Sequence, residues 1–563
     1  MAANMTYESK PWLKSYEKGV PESIKYEELT MPDYLEKSAK DFPDDTAMVF
    51  VGHKLTYRQF KDQVDRFATC LTDFGIKKGD AVSILLPNSI PCVVAYYSIL
   101  KIGAIVVMNN PLYSDPELEH QFKDSDSKVL ITMDVVCNRM IDLRPKTKIK
   151  QIVYMSIGDF LNPIKRFIGK KMKKIPFADV KAASDVYPWM DCVSKYKPNP
   201  PKVKLTFDDI AMYQYTGGTT GVSKGVILTH ANISKQVQQI SAWFPTFKKG
   251  GKQTMLGALP YFHVFGLSCS MNNSVYMGWN QILIPRPQPQ PLLEAIREYK
   301  PTFTPLVPTM FIGMLNHPDL KKTDMSCIQG AFSGSAPLPV EVIQEFQKQT
   351  GAYISEGFGM TETCPVTHMN PFNGKQKVGS IGLPCSDTLS RIVDLDDGVT
   401  DMPIGKPGEL IIKGPQVMKG YKGMPEETAN VLKDGWMYTG DIATMDENGY
   451  FYIVDRKKDM IISGGYNVYP RDIDEVYYGN PKVEECCSIG IPDKTRGENV
   501  KLFVVLKQDQ TATAQEMIEF GKAHLAAYKL PSEVEFRKEL PKTTVGKILR
   551  KELRAEELKK RKG

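Results

Sequence analysis

Short β-rich runs alternate with helical patterns in the part of the chain that begins at Ala81. The strand-like runs are 81–86, 105–108 and 129–133, and the helical runs are 90–101 and 116–122. Because helices that follow strands cover the faces of a sheet, this alternation predicts α/β layers with largely parallel strands. The 563 residues are too many for one compact core, so at least two domains are expected.

The pattern changes after Gly408, where strands and turns predominate and predict a β-rich subdomain. The charged stretch 455–459 and the Ser463-Gly464-Gly465 segment have no apolar period, and they are interpreted as a linker. Two helical and two strand-like runs beyond it predict a small α+β domain of about a hundred residues. These runs are 473–478 and 514–524 for the helices and 501–506 and 533–536 for the strands.

Charge and cysteine content exclude several classes of protein. The net charge of +7 is small, and its basic excess is concentrated at 165–174 and 550–562, so no nucleic-acid partner is expected. The ten cysteines include no C-x-x-C pair, which favours reduced thiols over a disulfide framework or a metal site. The chain shows no secretory signal and no uninterrupted membrane-spanning stretch, so a cytoplasmic protein is predicted.

Residues 215–225 read Tyr-Thr-Gly-Gly-Thr-Thr-Gly-Val-Ser-Lys-Gly and lie between two apolar runs. Glycines let the backbone approach an anion closely, hydroxyls and amides donate to its oxygens, and the lysine adds a positive charge. The order Ser-Lys-Gly departs from a Walker A loop, and the strand-like run that follows departs from a hydrolase nucleophile elbow. The segment is interpreted as a phosphate-binding loop, with a plain surface hairpin as the alternative.

Taken with Glu356–Glu362, Tyr438–Asp441 and Pro541–Lys547, this loop resembles the motifs of the adenylate-forming superfamily. That superfamily includes acyl-CoA synthetases, peptide-synthetase adenylation domains and beetle luciferases, and the resemblance covers nearly the whole chain. It implies a large N-terminal domain of stacked αβ layers over 1–457 and a small mobile α+β lid domain over 458–563, with a hinge near Lys458. The implied chemistry uses ATP and Mg²⁺ to convert a carboxylate into an acyl adenylate, which the thiol of CoA then attacks.

The resemblance also implies roles for individual residues. The β- and γ-phosphates would be held by Thr216, Gly217, Gly218, Thr219, Thr220, Gly221 and Lys224. Adenine would lie among Gly334, Ser335, Ala336, Glu356, Gly357, Phe358, Gly359 and Met360, with Gly357 and Gly359 permitting a tight turn. Thr361 would bind the α-phosphate, Glu362 with Thr220 the Mg²⁺, and Asp441 with Arg456 the ribose.

The remaining roles concern the acyl group and the thiol. Lys547 would bridge the carboxylate and the α-phosphate, and His263 would lie beside the acyl carboxylate. Gly464 and Gly465 with Tyr466 would form the pantetheine channel. The acyl pocket would be lined by Trp243, residues 267–271 and Gly334.

The opening stretch, from Lys10 to Pro21, resembles that of bacterial long-chain fatty acid ligases, so a medium- to long-chain fatty acid is the favoured substrate. Residues 159–175 place apolar side chains at helical spacing between basic ones, and they are interpreted either as contacting an anionic membrane or as packing on their own domain. The alternatives are a ligase for aryl or short-chain acids, an adenylating enzyme that delivers the acyl group to a carrier protein, and a protein that binds lipid surfaces and has an inactive site. A homodimer is left open.

Overall fold

The computed structural model describes residues 6–171, 175–216, 223–250, 252–336, 338–464, 466–493, 495–543 and 548–562. Within these ranges the strands of the N-terminal half are β1 Thr46–Phe50, β2 His53–Thr56, β3 Ala81–Ile84, β4 Ile105–Met108, β5 Val129–Met133, β6 Gln151–Met155, β7 Val186–Pro188, β8 Ile210–Thr216, β9 Lys224–Thr229, β10 Thr254–Gly257 and β11 Asn280–Leu283. The later strands are β12 Phe303–Leu306, β13 Gly330–Ser333, β14 Ile354–Gly359, β15 Val366–Met369, β16 Leu383–Pro384, β17 Leu389–Val393, β18 Gly408–Lys413, β19 Gly420–Tyr421, β20 Leu432–Lys433, β21 Trp436–Met445, β22 Phe451–Arg456, β23 Ile461–Ser463, β24 Tyr466–Val468, β25 Val483–Asp493, β26 Gly497–Leu506 and β27 Pro531–Phe536.

The helices of the same ranges are α1 Met31–Asp41, α2 Tyr57–Asp73, α3 Ile90–Lys101, α4 Asp115–Ser125, α5 Asp134–Leu143, α6 Pro163–Lys171, α7 Trp189–Lys195, α8 His230–Ala242, α9 Val264–Gly266, α10 Asn273–Met277, α11 Pro289–Tyr299, α12 Pro308–Leu315, α13 Val340–Thr350, α14 Pro425–Val431, α15 Pro470–Tyr478, α16 Ala514–His524 and α17 Arg550–Lys562. A π-helical turn, Leu267–Asn272, joins α9 to α10. No helix of the described ranges is both long and apolar enough to cross a bilayer.

Two large sheets form the centre of the molecule. One has the strand order β16-β15-β14-β13-β12-β10-β11-β1-β2, and the other has the order β19-β9-β8-β4-β3-β5-β6-β7. Most neighbouring strands are parallel, and antiparallel pairs occur at the ends of both sheets. The predicted α/β layers are therefore confirmed.

Helix α3 lies between these two sheets, in contact with β3 and β4 on one side and with β1 on the other. Every residue from Ile90 to Leu100 is buried, because the helix has sheet or helix on all sides. Ser89 caps it by accepting a hydrogen bond from the Cys92 amide, and Pro91 lies in its first turn. The core of the large domain is centred on this helix.

Two smaller sheets follow in the chain. Strands β17, β18, β21, β20 and β22 form an antiparallel sheet, which is the predicted β-rich subdomain. Strands β24, β23, β26, β25 and β27 form the sheet of the C-terminal region, and α15 and α16 cover an apolar core of their own there. The predicted α+β character of this region is confirmed.

The interpretation of 455–465 as a linker is wrong. Arg456 ends β22, and β23 begins as early as Ile461. Strands β23 and β24 pair with Ser463 opposite Tyr466, so Gly464 occupies the turn between them with φ of +60°. Strands of three residues are too short to show a period in the sequence, and only the turn at 457–459 separates the two sheets.

The amphipathic segment 159–175 is only partly packed on its own domain. Phe160 is buried against Phe50, and Ile175 packs against the main core. Helix α6 begins at Pro163, and the side chains of Ile164 and Phe167 are 72% and 68% exposed. Packing on its own domain therefore holds for Phe160 and Ile175, and the contact with an anionic membrane stays a prediction.

Candidate functional site

A cleft of about 680 Å³ opens between the two large sheets, the β-rich subdomain and the C-terminal region. It brings together most of the described residues that the sequence motifs single out. Those that line it are Thr216, Lys224, His263, Gly334, Ser335, Gly357, Phe358, Gly359, Met360, Thr361, Glu362, Arg456 and Lys458.

The predicted phosphate-binding loop is the connection of an antiparallel hairpin. Thr216 at the end of β8 pairs with Lys224 at the start of β9, so both ends of the loop face the cleft. Helix α4 holds the second end, because His120 Nε2 lies 3.0 Å from the Ser223 carbonyl oxygen. The predicted residues Gly217, Gly218, Thr219, Thr220 and Gly221 lie outside the described residues.

The Lys224 ammonium contacts two groups at the cleft wall. It forms an ion pair with Glu427 of α14, and it lies 5.0 Å from the centre of the Tyr421 ring. The Lys224 side chain is 18% exposed, so part of its charge faces the cleft. An ammonium at this place attracts an anion that enters the cleft.

Gly357 and Gly359 do not form the tight turn that the sequence predicts. Both lie in β14, and a Cβ on Gly359 would lie 2.0 Å from the Pro365 carbonyl oxygen. A Cβ on Gly357 would lie 2.5 Å from the Phe332 ring. The two glycines are required because neighbouring segments of the same polypeptide approach β14 closely. Phe358, which lies between them, lines the cleft.

A short turn after β14 presents Thr361 and Glu362 to the cleft. Glu362 Oε1 accepts a hydrogen bond of 2.8 Å from the Tyr421 hydroxyl. A carboxylate held in this way at the edge of a cleft has lone pairs left for a cation.

Asp441 lies on β21 directly opposite Arg456 on β22. Its Oδ1 is 3.0 Å from Arg456 Nε, and its side chain is 3% exposed. The other oxygen, Oδ2, is buried and has no hydrogen-bond partner in the described part of the chain. Asp441 does not line the cleft itself, but Gly440 and Arg456 on either side of it do. A buried acceptor left without a donor is costly, so this oxygen is suited to a ligand hydroxyl.

Glu356 and Ala336 lie outside the cleft wall, contrary to their predicted contact with a ligand. Glu356 Oε1 accepts a hydrogen bond of 3.1 Å from the Leu338 amide, and so supports the loop that carries Gly334 and Ser335. Burial raises the pKa of Glu356 to about 7. Ser335 adopts a left-handed conformation with φ of +74°, which is unusual for a residue other than glycine.

His263 lines the cleft at the start of α9. Its Nδ1 accepts a hydrogen bond of 3.2 Å from the Phe265 amide, so the proton of the neutral ring lies on Nε2. Burial lowers the pKa of His263 to about 4, which keeps the ring neutral near pH 7. His263 can therefore donate a hydrogen bond into the cleft without carrying a charge.

The C-terminal region reaches the cleft through Thr543, and the turn at 457–459 contributes Lys458. Burial, followed by the positive charge of Arg456, lowers the pKa of Lys458 to about 8. Lys542 pairs with Ile548 across the segment that contains Lys547. Lys547 itself lies outside the described residues.

The β23–β24 turn does not line the cleft. Gly464 donates its amide to the Arg496 carbonyl, and Tyr466 is 58% exposed and stacks on Tyr528. Gly465 lies outside the described residues. Of the predicted pantetheine residues, the two that the structure describes, Gly464 and Tyr466, therefore stand apart from the cleft.

Of the predicted acyl-pocket residues, only Gly334 lines the cleft. Trp243 is 1% exposed, and its ring packs against Tyr16 at a centroid distance of 5.2 Å. Leu267 and Met271 are buried in the main core. An aromatic or apolar residue near a motif is more often part of the core, and that is the case for these three.

Several residues that line the cleft or support its wall carry no signal in the sequence. Tyr421 contacts both Lys224 and Glu362, yet no spacing rule identifies it. Gln214 donates a hydrogen bond of 2.9 Å to the Phe262 carbonyl and so supports the segment that carries His263. Asn88 holds the same segment through the carbonyl oxygens of Gly257 and Leu259 and the amide of Tyr261. These contacts join distant parts of the chain.

Two family models match the chain. The model described as AMP-binding enzyme matches residues 35–422, and the model described as AMP-binding enzyme C-terminal domain matches residues 472–547. The chain is 44% identical over 552 residues to a long-chain-fatty-acid–CoA ligase of Bacillus subtilis (strain 168), with 97% of this chain and 98% of the relative covered. It is 38% identical over 559 residues to a long-chain-fatty-acid–CoA ligase of Escherichia coli O6:H1, with the same coverage.

A solved structure has the same fold. The crystal structure of ATP-bound MatB from Rhodopseudomonas palustris matches with a TM-score of 0.83 at 27% identity, covering 94% of this chain and 99% of that chain. The matching models and relatives extend over nearly all of the sequence, including the strands and loops that form the cleft. The chain belongs to the AMP-binding enzyme family.

Proposed function

We propose that this protein is a fatty acid CoA ligase that acts on medium- to long-chain acids. It converts ATP, a fatty acid and CoA into acyl-CoA, AMP and diphosphate through an acyl adenylate. The observation that carries the proposal is the cleft, which is lined by a lysine and by a carboxylate that can take a cation. The buried unpaired acceptor of Asp441 lies between two residues of the cleft wall, Gly440 and Arg456. The relatives, which are named long-chain-fatty-acid–CoA ligases, support the choice of substrate.

The residues of the cleft fit a nucleotide with Mg²⁺. The unpaired Asp441 Oδ2 is suited to a ribose hydroxyl, and the Phe358 ring offers a face to adenine. Glu362 would hold Mg²⁺ together with phosphate oxygens, since Mg²⁺ is usually bound by one or two carboxylates plus substrate phosphates. The ion would neutralise phosphate charge.

The chain's own residues would then act in two steps. Lys224 neutralises the outer phosphates, and Thr361 holds the α-phosphate while a carboxylate oxygen of the acid attacks its phosphorus and diphosphate leaves. Lys547 stabilises the charge between the reacting groups. In the second step the thiol of CoA loses its proton to solvent, its sulfur attacks the carbonyl carbon of the acyl adenylate and AMP leaves, with the neutral His263 close to that carbonyl group.

A product assay over a series of acids tests this proposal. AMP and diphosphate release are measured with acetate, octanoate, oleate and benzoate, each with and without CoA. We expect acyl-CoA from octanoate or oleate at rates well above those with acetate and benzoate. A preference for benzoate or acetate would establish the alternative ligase, CoA-independent adenylation alone would indicate delivery to another acceptor, and no reaction with any acid would refute the enzyme assignment.

We further propose that 458–563 is a lid that turns about Lys458 between the two steps. In the structure the cleft contains Thr543 of this region, while the β23–β24 turn stands apart, as expected before the lid turns. The Lys458 carbonyl accepts a hydrogen bond of 3.3 Å from Arg554, which ties the turn to α17.

A proline at the hinge is expected to separate the two steps. Proline fixes φ and therefore hinders the backbone rotation by which the proposed lid turns between the two steps. Lys458→Pro should leave diphosphate exchange, which precedes that rotation, within about threefold of the wild-type rate. It should slow acyl-CoA formation, which follows the rotation, about tenfold or more. Both rates are measured on the same preparation, and the retained exchange shows that the cleft is folded. An unchanged overall rate would contradict a hinge at this residue.

We also propose that α6 contacts anionic membranes. Its exposed Ile164 and Phe167 lie in a segment with basic residues at 165, 166, 170 and 171. Each basic residue near an anionic surface contributes about 1 kcal/mol, and salt screens that contribution. Recruitment to a membrane suits a substrate that is delivered from lipid.

Cosedimentation with phosphatidylglycerol-containing vesicles tests this contact. We expect binding at low salt that falls about tenfold at high salt, and a further loss of about tenfold when Ile164 and Phe167 are both replaced by serine. The matched control is Val399→Ser, because Val399 is 66% exposed but lies on the β-rich subdomain. Absence of binding at low salt, or equal binding by the double variant, would remove the proposal.

A further inference from the structure

Tyr421 lies where three parts of the cleft meet. Strand β19 places it opposite Val226 of β9, and its amide donates a hydrogen bond of 2.9 Å to Thr428 Oγ1 of α14. The residue is 8% exposed, so its ring has little freedom to move. The backbone and the packing together fix where the phenol points.

The phenol contacts both charged groups that are proposed to bind the triphosphate. Its ring lies beneath the Lys224 ammonium, 5.0 Å from ring centre to Nζ, which is a favourable distance for a cation–π contact. Its hydroxyl donates a 2.8 Å hydrogen bond to Glu362 Oε1. A phenol is protonated near neutral pH, so the hydroxyl is the donor and the carboxylate the acceptor of this bond.

These contacts have different consequences for the two groups. The hydrogen bond engages one oxygen of Glu362 and leaves Oε2 free to face a cation, within the described part of the chain. Glu427 pairs with Lys224 here, and an incoming phosphate competes with Glu427 for the ammonium. The Tyr421 ring does not compete with phosphate, so it supports Lys224 before and after the exchange of partners.

We propose that Tyr421 is a positioning residue that holds the Lys224 ammonium and the Glu362 carboxylate in register for one magnesium–triphosphate group. The inference rests on the proposed function, since it assumes that the cleft binds ATP with Mg²⁺. It adds a residue to that site and gives a role to β19, which pairs with β9 and packs against α14. Tyr421 acts through Lys224 and Glu362 and takes no part in bond making.

Equilibrium binding of ATP without fatty acid tests this role independently of turnover. Calorimetry gives the Kd with excess Mg²⁺ and with EDTA for the wild type, Tyr421→Phe and Tyr421→Leu. Losing a hydrogen bond to a charged group should raise the MgATP Kd of Tyr421→Phe about tenfold, while its Kd in EDTA stays within about twofold. Tyr421→Leu also loses the aromatic ring that supports the Lys224 ammonium, so its Kd for ATP should rise about threefold even in EDTA.

Two further variants make the result specific. In a Glu362→Gln background the effect of Tyr421→Phe should shrink to less than about twofold, because its partner is already changed. The matched control is Tyr452→Phe. It removes a phenol hydroxyl that donates a hydrogen bond of 3.1 Å to the Asp446 carboxylate, and neither residue lines the cleft. The control should bind MgATP as the wild type does.

The possible outcomes are distinct. A wild-type protein that binds no MgATP would refute the proposed function. If the wild type binds MgATP, three results would each overturn only the role of Tyr421. Tyr421→Phe could bind MgATP as tightly as the wild type, or its Kd could rise by the same factor with and without Mg²⁺. The third result is that Tyr421→Phe raises the Kd in the Glu362→Gln background as much as it does in the wild type. Thermal melting of each variant identifies a general loss of structure, which would weaken binding equally under both conditions.

Discussion

Replacing Lys547 by alanine is expected to slow formation of the acyl adenylate by about two to three orders of magnitude while sparing thioester formation from premade adenylate. In the first step negative charge builds between the acid and the α-phosphate, and a preorganised ammonium stabilises it. In the second step diphosphate has left and the proposed lid would present another face, so the same lysine would have no charge to stabilise. The proposal therefore assigns the side chain to one half-reaction.

The surroundings of Lys547 support its reach into the cleft. Thr543 lines the cleft, and the pair formed by Lys542 and Ile548 brings both ends of the segment together. Four residues of extended chain span at most about 14 Å, which sets the distance from Thr543 within which Lys547 must lie. Arg550 pairs with the buried Asp474, so the segment is anchored immediately after Ile548.

Two rates and one control variant test the prediction. Exchange of labelled diphosphate into ATP reports the first step, and CoA-dependent consumption of synthetic acyl adenylate reports the second. Lys551→Ala is the matched control, since Lys551 is exposed on α17 and both rates should be unaffected. Equal loss of both half-reactions in Lys547→Ala would contradict this division of labour.

Elements with strong local signals could be predicted from the sequence. The limits of α16 follow from helical periodicity with Thr513 as the capping residue, and those of α3 from a largely apolar run that follows the capping residue Ser89. Buried parallel strands such as Ile105–Met108 and Val129–Met133 show as continuous apolar runs. A signal that is contained within the element and its immediate neighbours is enough to identify such elements.

Contacts between distant parts of the chain could not be predicted in this way. Strand β1 pairs with β11, far away in sequence, and Tyr421 reaches Glu362 across 59 positions. The spacing of Gly357 and Gly359 predicts a tight turn, but the sequence does not distinguish a glycine needed for a turn from one needed for a close neighbour. The structure gives the reason why glycine is needed at these two positions, because it places Pro365 and Phe332 beside them.

Loss of the Asp441 carboxylate is the second large effect that we expect. Asp441→Ala should weaken ATP binding about a hundredfold, because the proposed hydrogen bonds from the ribose hydroxyls to the carboxylate would be lost and Arg456 would keep its charge without this partner. The nucleotide remains bound in both half-reactions, so the rates of both should fall in Asp441→Ala, whereas Lys547→Ala should slow only the first.

Nucleotides that lack one ribose hydroxyl make the prediction specific. Wild-type protein should bind 2′-deoxy-ATP and 3′-deoxy-ATP about tenfold more weakly than ATP, whereas Asp441→Ala should bind all three with similar affinity. The matched control is Asp446→Asn at the other end of the β21–β22 hairpin, where the carboxylate pairs with Lys377 and leaves the cleft untouched. If Asp441→Ala discriminated against the deoxy nucleotides as strongly as the wild type, the ribose would be held elsewhere, and the unpaired Oδ2 would need another ligand to explain it.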